Sequence, residues 1–390
     1  MLKSIYIKNI NSIKETTFDF SKANYKYGEN NILKDLVNPI AIYGHNGSGK
    51  TSFLNAIQQF INLITLPPTL LKPFTINQML FENEIQNLIT KKDINNENFI
   101  GTIKFNFELD KIEYEYSLST SIFNKITTEY LKKDDKVIFK RKAKEYSYKE
   151  KTKKFKKDES PMVPALRIIA KEEVVDVDIQ KTLDYFNSFA HIQLQNINKG
   201  GFVSSSLFDN KNVNDLLVDK SNEVKELLKE YKDFPIYEIK KINKIQPNNT
   251  TQQTQEYRII IHGEDDFKID LPFNLISTGM KNNSILLSLI LSMPKNSVIF
   301  IDELEYALHP SALETFIKIV QRKQIQLVFS SHNTNILQYL RPDQIYFAKW
   351  NKGYSKLLRL SNIYPNIREV NNIEKMYLAS VFDDAINNNE

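Results

Sequence analysis

A chain of 390 residues with 41% hydrophobic and 25% charged residues has the composition of a globular protein that can bury a large core. It contains no cysteine, which excludes a disulfide framework, a thiolate metal site and a thiol nucleophile. The net charge of +5 is concentrated: thirteen Lys/Arg stand against four Asp/Glu between Lys132 and Lys157, and the rest of the chain is net acidic.

The start, Met1-Leu2-Lys3-Ser4-Ile5, lacks the apolar core of a signal peptide, and the apolar stretch Ile285 to Met293 is too short to span a bilayer. The expectation is a soluble, cytoplasmic protein without a membrane partner. Ser4 to Phe20 predicts two strands joined by a short turn. Leu36 to Tyr43 predicts a strand, and Ser52 to Leu63 a helix. Pro67, Pro68 and Pro73 break any helix, and Asn77 to Lys91 then reads as another with a polar face. Apolar residues alternate with polar ones over 103–109 and 112–118, the pattern of an antiparallel β-meander, with further strands at Lys125 to Leu131 and Lys136 to Arg141.

From Pro161 to about Ile242 the pattern turns mainly helical, and Pro247 to Gln255 reads as a mobile hairpin tip. A strand at Tyr257 to Ile261 and a helix from about Met280 to Met293 follow. The unbroken apolar runs Val298–Ile301 and Leu327–Ser330 predict buried strands, and a helix from Ser311 to Arg322 separates them. This is β-α-β with the spacing of a parallel sheet. The chain shows no internal repeat.

Between the strand at 36–43 and the helix at 52–63 lies Gly44-His45-Asn46-Gly47-Ser48-Gly49-Lys50-Thr51, which fits G-x-x-x-x-G-K-[ST]. In that P-loop motif backbone N–H groups cradle phosphates, while Lys and Thr serve the terminal phosphate and Mg²⁺. Such a match means little in a glycine-rich loop and much in a chain with ten glycines. The strand at 298–301 ends in Asp302-Glu303, a carboxylate that can hold Mg²⁺ followed by one that can act on the attacking water. The strand at 327–330 ends beside His332, which can hydrogen-bond a γ-phosphate. Ser277-Thr278-Gly279 opens the helix at 280–293, as an ordinary N-cap and equally as a phosphate site.

Taken in order, the P-loop, Ser277-Thr278-Gly279, Asp302-Glu303, Ala307-Leu308-His309-Pro310 and His332 resemble the ABC-type ATPase head of the RecF/SMC-like branch. The resemblance implies an α/β fold: a P-loop head with a mixed β-sheet core, an antiparallel β-meander and a helical insert. It also implies one head over 1–390, with an N-terminal lobe at 1–160, an insert at 161–242 and a C-terminal lobe at 243–390. ATP and Mg²⁺ are the implied ligands. Gly44, His45, Asn46, Gly47, Ser48, Gly49, Lys50 and Thr51 would hold the nucleotide, and Thr51 and Asp302 the metal. Glu303 would be the catalytic base, His332 the phosphate sensor, and Ser277, Thr278 and Gly279 a signature that closes over ATP bound by another copy. Gln193 and Gln195 are the candidates for a Q-loop. The working unit would then be a homodimer or a higher homo-oligomer.

A narrower resemblance rests on Leu340-Arg341-Pro342-Asp343-Gln344-Ile345-Tyr346-Phe347 and Asn372-Ile373-Glu374-Lys375-Met376-Tyr377-Leu378. These stretches resemble the ABC-like ATPases of bacterial abortive-infection and anti-phage systems, including the PARIS-like and Septu-like ATPase subunits. The sequence departs from that pattern at Ala379-Ser380-Val381-Phe382-Asp383-Asp384, where relatives carry a Gly-rich, Pro-closed stretch. The implied role is a regulatory ATPase that controls a separate toxin or nuclease effector, since 58 residues after His332 leave no room for an appended nuclease domain. The competing implication is a RecF/SMC-like DNA-repair ATPase. For that reading the segment Lys132–Lys157 offers lysines to phosphates and Phe139, Tyr146, Tyr148 and Phe155 to bases. The alternative is a solvated β-arm whose aromatics pack on the sheet.

Overall fold

Alternating apolar residues put Ile5, Ile7 and Phe18, all fully buried, on one face of two antiparallel strands, β1 (Leu2–Ile10) and β2 (Ile13–Asp19). The structure, a computed structural model, describes residues 1–65, 100–121, 125–155, 162–172, 176–194, 203–204, 213–231, 235–245, 253–263, 267–308, 310–351, 353–383 and 386. The helix expected at 77–91 lies outside the described residues, as do positions 247–252 of the expected hairpin tip.

A small hairpin of β3 (Ile32–Leu33) and β4 (Leu36–Val37) leads to β5 (Ile40–Tyr43), which is buried along its whole length. The strand expected at 36–43 is therefore two pieces, divided at Asn38-Pro39, because proline has no N–H to give to a ladder. After the glycine loop comes α1 (Lys50–Thr65). The meander is longer than its sequence suggests. It runs through β6 (Ile100–Leu109), β7 (Ile112–Ser121), β8 (Ile126–Lys133), β9 (Lys136–Lys142), β10 (Glu145–Tyr148) and β11 (Lys151–Lys154), each antiparallel to the one before.

The basic segment thus forms the last strands of the meander, and its aromatics turn inward. Phe139, Tyr146 and Tyr148 are buried in the core, and Phe155 lies against the guanidinium of the buried Arg141, 4.1 Å from ring centre to carbon. Base stacking by Phe139, Tyr146 and Tyr148 is corrected: rings that fill a core have no face left for a nucleobase, while Phe155 is half-buried. Lys140, Lys142, Lys144, Lys151 and Lys154 stay exposed.

Beneath the meander, α2 (Ala165–Ile169) is anchored by the buried carboxylate of Glu129. It accepts from the Ala165 and Leu166 N–H groups at 2.6 and 2.9 Å and from the Tyr116 hydroxyl at 2.8 Å. Helix α3 (Val177–Asn187) packs Tyr185 and Phe186 against Phe105 and Phe107, and Phe60 of α1 joins the cluster.

The stretch 161–242 then contributes strands as well as helices: β12 (Ala190–Gln193), β13 (Val203–Ser204), α4 (Val213–Asp219), α5 (Ser221–Leu228) and the start of β14 (Ile236–Ile245). Strand β14 pairs with β15 (Gln253–His262), and β15 with β16 (Lys268–Pro272), in a separate antiparallel sheet. The remaining elements are α6 (Thr278–Ser292), β17 (Val298–Asp302), α7 (Pro310–Arg322), β18 (Gln326–Ser330), β19 (Ile345–Asn351), β20 (Tyr354–Arg359), α8 (Leu360–Ile363) and α9 (Ile373–Leu378).

The main sheet is mixed. Its parallel centre is ordered β19-β5-β18-β17-β12; β20 pairs antiparallel with β19 and parallel with β2, and antiparallel pairing continues from β2 through β1 out to β11. Both faces of the centre are covered, as parallel strands require. Val298 and Phe300 of β17 face the core that holds α1 and α3, while Ile299 and Ile301 face the core that holds α6 and α7. The stretch 340–347 has a structural role. The buried Arg341 donates to the carbonyls of Ala23 and Tyr27 and to the Asp343 carboxylate, fastening the loop before β3 to the start of β19.

His191 on β12 is fully buried, neither ring nitrogen has a hydrogen-bond partner among the described residues, and burial pulls its pKa down to about 3. The unfolded chain therefore binds a proton near pH 6.5 that the native state refuses, so stability is full above that pH and lost as the pH falls toward 3. Urea unfolding should lose up to about 1.4 kcal/mol per pH unit from this group, and His191→Phe should flatten that slope. An unchanged slope would show that His191 is not the group responsible.

Candidate functional site

Neighbouring parallel strands point the same way, so β5, β18 and β17 deliver their C-terminal ends to one edge of the sheet. That places the loop Gly44–Gly49, Ser330 to Asn333 and Asp302-Glu303 side by side. Gln193 ends β12 in register with Asp302 and donates to Asn55 Oδ1 of α1 at 2.7 Å, while Gln195 lies outside the described residues.

Gly44, Gly47 and Gly49 all have positive φ, at 150°, 76° and 104°. A Cβ on Gly44 would stand 2.4 Å from the Ala348 carbonyl oxygen, and one on Gly49 would stand 2.0 Å from Ser355 Oγ. Gly47 has open space around it, so its backbone angle alone calls for glycine. Ser48 is buried with its hydroxyl unpartnered, and His45 and Asn46 are exposed at the loop's crest. Lys50 is only 6% exposed. Its ammonium donates to the carbonyls of Gly44 at 2.8 Å and His45 at 3.1 Å. Burial lowers its pKa, and the carboxylates of Asp302, Glu303 and Glu305 oppose that shift. Thr51, the next residue, is exposed at the mouth of the loop.

The acids are organised by a serine. Ser330 Oγ, fully buried, donates to Asp302 Oδ1 and accepts the Glu303 N–H at 2.8 Å. Glu303 leaves β17 in a left-handed conformation, φ 56° and ψ 63°, which costs an L-residue about 1–2 kcal/mol. Burial, helped by the charges of Asp302 and Glu305, holds its carboxyl above the ordinary range, and Lys50 offsets part of the rise. Glu305, on the short turn Leu304–Tyr306, accepts the His332 N–H at 2.9 Å. His332 itself is exposed, and partial burial followed by the charge of Lys50 lowers its pKa.

Ser277, Thr278 and Gly279 stand elsewhere, exposed at the N-terminus of α6. Ser277 caps the helix by accepting the Met280 N–H at 3.3 Å, and nothing lies within 4 Å of where a Gly279 Cβ would be. None of the three touches the glycine loop of its own chain through a hydrogen bond among those the structure records for the described residues. Ala307 and Leu308 are buried beside the acids, and His309 lies outside the described residues. Glu305 and Ser330 were not singled out as site residues by sequence. The only signal for Glu305 is a third carboxylate within the four residues 302–305.

This edge fits a polyphosphate. It offers a cradle that admits no Cβ at two positions, the N-terminus of a 16-residue helix and a buried ammonium that an anion would relieve. It also fits Mg²⁺, which keeps waters and takes few protein ligands; Thr51 and Asp302 would supply them. No described helix is long and apolar enough to cross a membrane.

The family model described as "AAA domain, putative AbiEii toxin, Type IV TA system" matches residues 40–338. No curated protein matches the chain in sequence. Among solved structures, the SMC head domain from Thermotoga maritima aligns with TM-score 0.44 at 14% identity, covering 92% of this chain and 98% of that one. An SmcHead bound to the C-winged helix domain of ScpA aligns with TM-score 0.47 at 13% identity, covering 92% and 96%. An Smc head domain with an extended coiled coil, bound to the C-terminal domain of ScpA derived from Pyrococcus furiosus, aligns with TM-score 0.46 at 12% identity, covering 98% and 99%.

Proposed function

The chain belongs to the AbiEii-type AAA-domain family, and from that footing we propose that it is an ATP-hydrolysing switch that works as a pair. The observation that carries this reading is the meeting of Lys50, Asp302 and Glu303 at one sheet edge around the glycine cradle. Lys50 would neutralise the β- and γ-phosphates, and Thr51 and Asp302 would hold Mg²⁺, whose charge offsets that developing on the phosphates. Glu303 would take the proton of the attacking water, and His332 would sense the γ-phosphate. Gln193, which ends the strand beside Asp302, would be the Q-loop glutamine.

The exposed Ser277, Thr278 and Gly279 would close over ATP held by a second copy, so that binding assembles an interface and hydrolysis releases it. A family named for a toxin–antitoxin system supports a role in abortive infection, with the switch controlling a separate toxin or nuclease. The direct DNA-binding reading keeps its exposed lysines but loses three of its four stacking aromatics, which favours the basic arm as a docking edge.

Gly279→Ala tests the paired site. The new methyl meets nothing in its own chain and replaces glycine in a helix, so the melting temperature should hold or rise, by the equivalent of about 0.5–1 kcal/mol. Turnover should nevertheless fall at least about tenfold, because the methyl stands where backbone must approach phosphate. Wild-type turnover in that variant would remove the signature from the site.

A further inference from the structure

The geometry points to Glu305 as the positioning residue that sets the switch segment against the carboxylates, an inference that rests on the ATPase reading. Three successive residues at the end of β18 are tied down, two by β5 and one by the turn after β17. The Ser331 N–H donates to the Ile42 carbonyl of β5 at 3.3 Å. The Asn333 carbonyl accepts the Tyr43 hydroxyl at 2.8 Å. Between them the His332 N–H goes to Glu305 Oε1 at 2.9 Å, the one of the three ties made by a carboxylate. A hydrogen bond to a carboxylate is shorter and stronger than a neutral one, so it fixes the Cα from which the imidazole swings.

Glu305 is well placed to hold that tie firmly. Its turn closes through the Tyr306 N–H to the Glu303 carbonyl and the Ala307 N–H to the Leu304 carbonyl, both at 3.1 Å, over the fully buried Leu304. The same turn is gripped from the other side: Asn282 of α6 donates to the Tyr306 carbonyl at 3.1 Å. Helix α6 begins with Thr278 and is capped by Ser277. Two hydrogen bonds, joined by the peptide link between Tyr306 and Glu305, therefore connect the helix capped by Ser277 to His332.

Among the described residues the second carboxylate oxygen of Glu305 is buried with no hydrogen-bond partner, an arrangement that costs stability. Here the charge faces Lys50, Glu303 and His332, and it favours the protonated form of each. Glu305 thus serves the site by geometry and by field without touching the reacting atoms.

The test uses the full chain and two substitutions. Glu305→Ala should lower kcat about 10- to 100-fold while the ATP Kd and KM stay within about threefold, as expected when a reacting group is misplaced and binding is not. Amide hydrogen exchange in the peptide over 331–333 should quicken at least about tenfold. Glu305→Gln keeps an acceptor oxygen, so it should bring exchange back to within about threefold of wild type and recover most of the lost kcat. Wild-type kcat in Glu305→Ala, unchanged exchange, or a Gln variant no better than Ala would each overturn the assignment. A wild-type protein that binds but never hydrolyses ATP would instead defeat the ATPase reading, and the exchange result would still decide whether Glu305 holds the switch segment.

Discussion

Glu303→Gln is expected to lower ATP turnover about a hundred- to a thousand-fold while leaving nucleotide binding intact, the effect of removing a general base from a preserved site. The amide is nearly isosteric with the carboxylate, and the Glu303 N–H bond to Ser330 Oγ belongs to the backbone, so the local geometry should persist. The carboxyl is raised above its ordinary range by burial and by two neighbouring acids, which makes it a stronger proton acceptor than a free glutamate. Without that acceptor, ATP should be bound and kept, and the paired state should accumulate. Phosphate release and light scattering of the ATP-loaded protein measure the two halves of this result. Normal turnover would show that the base lies elsewhere.

Lys50→Ala should abolish nucleotide-dependent assembly altogether. The ammonium is the buried cation of the loop, and its loss removes a charge-assisted contact together with the offset to three carboxylates. A loss of about 3–5 kcal/mol, or two to three decades or more in affinity, is the scale for breaking one partner out of a buried charged set. One side effect has a definite sign. Lys50 lowers the Glu303 pKa, so any residual activity should have its acid limb moved to higher pH. Calorimetry with ATP and the same light-scattering measurement check both claims, and assembly equal to wild type would end the switch model.

The candidate site was legible in the sequence because its residues sit in local motifs on strongly patterned elements. The runs at 298–301 and 327–330 are apolar without interruption, so their strands and their polar ends could be placed. β12 was not, because its four residues include a buried histidine and a glutamine and carry no period of their own. Its strand character comes from pairing with β17, a contact more than a hundred residues away. The inward turn of Phe139, Tyr146 and Tyr148 follows from the register of β8, β9 and β10, which charge density hides. Ser330 and Glu305 escaped for the same reason: each matters through a partner on another strand end, and a single chain position does not announce its partner.

Glu303 also bears on how this protein can change. Its left-handed backbone is one that glycine or asparagine adopts at little cost, so the position is held against its own conformational preference. If Glu303 is the base we propose, stability and turnover pull in opposite directions at this residue. A descendant that kept the assembly but no longer needed hydrolysis would gain stability by surrendering Glu303 first. Position 303 is where decay of the proposed ATPase into a mere scaffold should become visible earliest.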